Sequence, residues 1–162
     1  MSTSLPDFLL EPLVRAALTE DLSPMGDVTT RAVVPAGTRY AARLNAREAG
    51  VVSGMQIAAM AFRLVDPSLT ITPRVSDGAP CAPGDLLMEI EGEAASILMG
   101  ERVALNFMGR LTGIATLTAA FVAETRGTTT KITCTRKTTP GLRMVEKMAV
   151  AHGGGSNHRF GL

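Results

Sequence analysis

The chain has 162 residues, 46% of them apolar and 19% charged, with a formal net charge of +1. That balance excludes a disordered or fibrous chain and suffices for one ordinary domain, or a small domain and part of another. Five Phe, one Tyr and no Trp make the core aliphatic and leave few rings for stacking bases, so nucleic-acid binding is not expected.

Pro6 to Asp21 predicts a first helix, with Phe8, Leu9, Leu13, Ala16, Ala17 and Leu18 near helical spacing and Asp7 and Glu11 in the early turns. Gly26-Asp27-Val28-Thr29-Thr30 is turn chemistry that also caps a short following helix. Thr38 to Val52 alternates and then runs apolar, as a strand or hairpin does. Gly54 precedes a helix over Met55 to Val65 that Asp66-Pro67 closes. Leu69 to Val75 alternates again, Asp77-Gly78 is a turn, Pro80 to Asp85 a loop, and Asp85 to Glu93 a third strand. These elements predict a small α+β layer of antiparallel strands covered by helices.

From Ala94 to Arg126 the pattern is helical, interrupted by Gly100, Gly109 and Gly113, at which a helix of this length is expected to bend or break. Gly113 is the expected boundary between an N-terminal domain, 1–113, and a second domain, 114–162. Lys131 to Thr135 then reads as a short strand, Pro140-Gly141 opens a helix through Ala151, and Gly153-Gly154-Gly155 ends it. That succession is the opening of a parallel α/β domain. One such unit cannot bury a parallel strand on both faces, so the chain is expected to be a piece of a longer protein.

Cys81 and Cys134 are the only cysteines and form no CxxC pattern, which excludes a disulfide framework and a cysteine zinc site and favours a reducing cytoplasm. Asp7 and Glu11, with no early Lys or Arg, make a signal peptide unexpected over these first residues. The charge-free run Leu111 to Ala123 is 13 residues, against about 20 for a bilayer span, so no membrane contact is expected.

Charge is unevenly placed. Residues 1–125 hold 9 Lys/Arg against 14 Asp/Glu, whereas residues 126–162 hold 7 Lys/Arg against the single acid Glu146. The pattern fits a scaffold followed by an anion-binding segment, or a plain solvated basic surface. Three places stand out within it. Glu101-Arg102 lies on the long helix with Asn106 one turn on. In Thr133-Cys134-Thr135-Arg136-Lys137-Thr138-Thr139, two adjacent cations end a predicted strand just before a helix, where α/β folds bind ligands and helix N–H groups favour an anion. In Gly153-Gly154-Gly155-Ser156-Asn157-His158-Arg159, glycines allow close approach to a ligand, or simply form a hinge, and two more donors follow. Three arginines, a lysine and a histidine thus suit a small polyanion, arginine's fork matching carboxylates. No carboxylate cluster with metal spacing and no Ser-His-Asp order accompanies them, and two histidines are too few for a metal cage.

Thr135-Arg136-Lys137-Thr138-Thr139-Pro140-Gly141-Leu142-Arg143, then Glu146-Lys147, then Gly153 to Arg159, strongly resembles quinolinate phosphoribosyltransferase. Glu101 to Asn106, Gly113-Ile114-Ala115-Thr116 and Glu20-Asp21 with Gly26 to Thr30 resemble the same family, in the same order along the chain. The resemblance implies an N-terminal α/β sandwich followed by an incomplete α/β barrel of the type II phosphoribosyltransferase kind. It implies phosphoribosyl transfer from phosphoribosyl pyrophosphate to quinolinate with decarboxylation, giving nicotinate mononucleotide, the entry to NAD. Mg2+ assists, and its ligands are expected beyond Leu162. Thr135, Arg136, Lys137, His158 and Arg159 are implied as barrel-side substrate contacts, with Lys137 and His158 in catalytic roles. Arg102 is implied as the contact lent by the partner subunit of a homodimer. The family often has Asp where this chain has Cys134, a swap expected to be tolerated, and a chain ending at Leu162 is expected to be inactive alone. The rivals are a paralogous phosphoribosyltransferase for another pyridine or base, a non-catalytic anion-binding or assembly module, and, most distant, a basic-tail nucleic-acid binder.

Overall fold

The structure, a computed structural model, describes residues 4–159; residues 160–162 at the end of the expected second domain lie outside it. The first helix, α1 (Asp7–Leu22), buries Leu10, Val14 and Leu18, one residue per helical turn. Asp27 starts α2 (Val28–Val33), its carboxylate accepting the Thr30 N–H at 2.8 Å. β1 (Arg39–Asn45), β2 (Gly50–Val51), α3 (Met55–Val65), β3 (Thr70–Pro73), β4 (Pro80–Cys81) and β5 (Leu86–Glu93) follow, and β5 runs directly into α4 (Ala94–Glu124). α5 (Arg143–His152) comes last.

The expected strand or hairpin over Thr38 to Val52 is two strands in two different sheets. β1 and β3 flank β5 in an antiparallel sheet of order β1-β5-β3, whereas β2 pairs with β4, a two-residue strand inside the expected Pro80–Asp85 loop. The reason is burial. Ala42 and Leu44 of β1 stand opposite Ile90 and Met88 of β5, both buried, and a hairpin with β2 offers nothing comparable. Away from the core, Glu89 pairs with both Arg43 and Arg74. α3 is apolar nearly all round, with Met55 and Ile57 to Phe62 buried, and lies at the centre of the core between α1, α4 and β3.

α4 does not break at its glycines. Gly109 and Gly113 face open space, where a missing side chain costs only local propensity. At Gly100 a Cβ would come within 2.7 Å of the Phe62 ring, so this glycine lets α3 and α4 close together. The helix therefore runs 31 residues through the expected boundary at Gly113. Among the described residues it is the one helix long and apolar enough to cross a membrane by length and composition. Here it is the core helix, packed on α1, α3, α5 and both sheets.

The expected strand Lys131–Thr135 is also absent. Only one parallel bridge forms, Thr133 to Ser156, flanked by Ser156 N–H to Ile132 O at 2.8 Å and Cys134 N–H to Ser156 O at 3.1 Å. With a single short neighbour the segment has no ladder to join. Pro140 to Leu142 make a turn ahead of α5, so the helix starts at Arg143, three residues after Pro140, where it was expected to open.

Candidate anion-binding site

α5 is buried along Val145 to Ala149, and its polar side chains must find partners inside the protein. Glu146 accepts from Arg110 of α4 through Nε at 3.1 Å and through Nη2, and from the Thr139 N–H at 3.2 Å. Arg110 Nη2 also reaches Thr139 Oγ1. Burial pushes the Glu146 carboxyl up, but Arg110 and Thr139 outweigh it and hold the group below the usual glutamate range. The loop from Thr135 to Thr139 is thereby tied at its far end to α4.

At its near end, the loop leaves the Thr133–Ser156 bridge. A parallel bridge makes both segments run the same way, so Thr135-Arg136-Lys137 and Asn157-His158-Arg159 extend from the same end. The two arms are joined at their roots. The His158 N–H lies 3.3 Å from Cys134 Sγ, and Cys134 Sγ lies 3.4 Å from Asn157 Oδ1. Lys147 of α5, fully buried, donates to Cys134 Sγ at 2.7 Å and to His158 O at 3.0 Å. Thr135 Oγ1 accepts the Lys137 N–H at 3.0 Å, fixing the turn that presents Arg136 and Lys137.

The structure thus brings together five of the six residues singled out as substrate contacts: Thr135, Arg136, Lys137, His158 and Arg159. Among the described residues, the charged ends of Arg136, Lys137 and Arg159 and the His158 ring make no hydrogen bond or ion pair. Arg136 Nε is buried without a partner, a costly position for a guanidinium N–H unless an anion meets it. The sixth residue, Arg102, is exposed on α4 and likewise unbonded among the described residues. It precedes Arg110 by eight residues, about 12 Å along the helix, and no bond links it to the arms.

Two features of the site escaped the sequence. Gly153 and Gly155 are required by packing: a Cβ on Gly153 would sit 2.3 Å from Ala115 O, and one on Gly155 2.8 Å from Thr118 Cγ2. The glycine run lets the end of α5 cross α4. Lys147 was visible only as part of a motif, since nothing local to Glu146-Lys147 says that a lysine is buried there. Among the described residues no group of three or more His, Cys, Asp or Glu side chains is placed to hold a metal ion.

Fold and site define the class: an antiparallel sheet-and-helix domain followed by a helix and one parallel bridge, from which two arms carry uncommitted cations. The chain matches the quinolinate phosphoribosyl transferase N-terminal domain over residues 27–112 and the C-terminal domain over residues 114–162. It belongs to the quinolinate phosphoribosyltransferase family. Quinolinate phosphoribosyltransferase [decarboxylating] 1 of Nicotiana glauca is 45% identical over 157 residues, 97% of this chain and 44% of that protein. Nicotinate-nucleotide pyrophosphorylase [carboxylating] of Mycobacterium leprae is 44% identical over 151 residues, 92% of this chain and 53% of that protein. Among solved structures, NadC from Streptococcus pyogenes superposes with a TM-score of 0.93 at 42% identity, covering 98% of this chain and 57% of that one. The nicotinate-nucleotide pyrophosphorylase from Francisella tularensis also gives 0.93, at 35% identity, covering 99% and 57%. The chain therefore spans about half the length of the relatives it matches.

Proposed function

We propose that the protein carries out phosphoribosyl transfer from phosphoribosyl pyrophosphate to quinolinate with loss of CO2, giving nicotinate mononucleotide and pyrophosphate for NAD synthesis. The observation that carries this reading is the pair of arms with uncommitted cationic side chains, one of them holding a buried, unpartnered Arg136 Nε. Quinolinate is a dianion and its co-substrate is more negative still, so bringing them together requires cations. Arg136 and Arg159 bind carboxylates as forks, Thr135 adds a hydroxyl, and Lys137 and His158 carry the catalytic roles. Pyrophosphate leaves from the ribose C1′ through an oxocarbenium-like state, so positioning and neutralisation of the leaving group dominate the barrier. Once the ring nitrogen is ribosylated, its positive charge stabilises the electron pair left as the 2-carboxylate departs, and no separate decarboxylation base is needed. Mg2+ belongs with phosphoribosyl pyrophosphate; residues 4–159 supply no cluster for it.

The protein in this reading is a cytoplasmic homodimer in which Arg102 completes the partner's site. Arg102 is exposed on α4 between Leu98 and Leu105, and Leu117 and Phe121 further along the helix are exposed as well, all four apolar side chains more than 40% exposed. The exposed charges Glu101 and Arg102 on the same helix favour a protein interface over lipid. Calorimetric titration of the full-length protein with quinolinate and with nicotinate tests the reading. Binding of quinolinate with strong rejection of the monocarboxylate is expected, because a missing carboxylate leaves one arginine fork, such as the Arg136 guanidinium with its buried Nε, unpaired. Preference for nicotinate would move the protein to a different pyridine substrate.

A further inference from the structure

Lys147 has no place in the reading above, yet its position is the most demanding in the site. It is the largest side chain in the described fold that is fully withdrawn from solvent, and a buried ammonium is tolerated only when its hydrogens are bonded. Two of its bonds go to the roots of the two arms: Cys134 Sγ, one residue before Thr135, and the carbonyl of His158, one residue before Arg159. The His158 N–H closes the triangle on Cys134 Sγ. Among the described residues the segments are otherwise joined by one parallel bridge with its two backbone hydrogen bonds and by Cys134 Sγ to Asn157 Oδ1 at 3.4 Å, so the triangle is the link that ties both arms to the core helix α5. α5, which carries Lys147, is itself anchored to α4 through Arg110 and Glu146.

We infer that Lys147 is a positioning residue: its buried ammonium clamps Cys134 to His158 and so sets the spacing at which Arg136 and Arg159 take the two carboxylates of one quinolinate. The inference rests on the function proposed above. A misplacement of about 1 Å in one arm is enough to lose bidentate contacts, and loss of a hydrogen bond to a charged group weakens binding about tenfold or more.

The test is made in the full-length protein. Lys147→Met, similar in length and uncharged, is expected to weaken quinolinate binding about tenfold by calorimetry, raising the quinolinate KM far more than it lowers kcat. Backbone amide exchange in residues 134–137 and 156–159 is expected to quicken together while exchange in α3 stays unchanged, a split that general destabilisation does not produce. Cys134→Ala removes one arm of the clamp and is expected to weaken binding. Cys134→Asp offers the ammonium a carboxylate and is expected to restore it. Wild-type affinity in Lys147→Met overturns the inference. If Lys147→Met does not fold, wild-type affinity in Cys134→Ala, or failure of Cys134→Asp to recover what Cys134→Ala loses, overturns it. If the wild-type protein itself does not bind quinolinate, the proposed function fails, and the exchange measurement still decides whether the clamp exists.

Discussion

Ser53 and His152, 99 positions apart in the sequence, share a buried hydrogen bond of 2.8 Å between Oγ and Nδ1. It fastens the loop after β2 to the C-terminal end of α5, and threonines of α4 complete the seam. Thr112 Oγ1 accepts the Ser53 N–H and donates to the Ser53 carbonyl, each at 3.1 Å, and Thr116 Oγ1 accepts the Val51 N–H at 2.9 Å.

The seam makes stability depend on pH. Burial holds His152 below the usual histidine value of 6.5, with the Asp77 carboxylate opposing only in part. The unfolded chain therefore takes up a proton at a higher pH than the folded one does. The stability that His152 contributes is fully present above about pH 6.5 and is lost as the pH falls below that value. Urea midpoints at pH 7.5 and 5.5 should show a lower value in acid, and His152→Gln should flatten the difference. Equal midpoints in the wild type would remove His152 as the cause.

The glycines at the α4–α5 crossing should be the least replaceable in the chain. In Gly153→Ala the new methyl meets the Ala115 carbonyl oxygen at 2.3 Å and Thr118 Cβ at 2.7 Å, atoms that no rotamer change moves aside. A loss of about 1–3 kcal/mol is expected, the usual cost of overpacking. Gly109→Ala, on α4 with open space around it, is expected to raise stability by about 0.5–1 kcal/mol through helix propensity. Opposite signs in chemical denaturation of the two variants check the packing directly.

Arg136 and Arg159 should matter to quinolinate and little to folding. Arg→Ala at either position in the full-length protein is expected to weaken quinolinate binding by roughly 2–5 kcal/mol, the range for removing one member of a desolvated charge pair. Arg→Lys should recover only part of this, since an ammonium cannot make the planar two-point contact. Calorimetry that finds Arg136→Ala unchanged would take that residue out of the pocket.

Arg102 is expected to act across a dimer. Arg102→Ala and Arg136→Ala homodimers should each be nearly inactive. In a two-fold dimer with composite sites, each mixed dimer holds one doubly defective and one intact site. Random exchange then leaves roughly a quarter of all sites intact, so activity should return on mixing two dead variants. A mixture as inactive as its parents after proven subunit exchange would assign Arg102 to its own subunit's site or to none.

Much of this molecule is legible in its residues because the signals are local. Gly54 and Asp66-Pro67 bracket α3, and Asp27 caps α2, because turn and cap geometry depend on a few neighbouring atoms. The Arg136-Lys137 and His158-Arg159 pairs are legible as candidate anion-binding groups because charge and donor geometry travel with the side chain. What the residues alone left undecided is relational. β1 pairs with β5 across some forty residues, where sequence proximity favoured a hairpin, because the buried partners Met88 and Ile90 lie there. The glycines of α4 did not break it, because α3 packs against Gly100 and the helix is held by tertiary contacts. The run Gly153 to Gly155, which reads as a ligand loop or a hinge, closes a helix crossing, and Lys147, one cation among seven in its segment, is the one fully buried. Each of these depends on which distant atoms occupy the neighbouring space, and only the folded chain decides that.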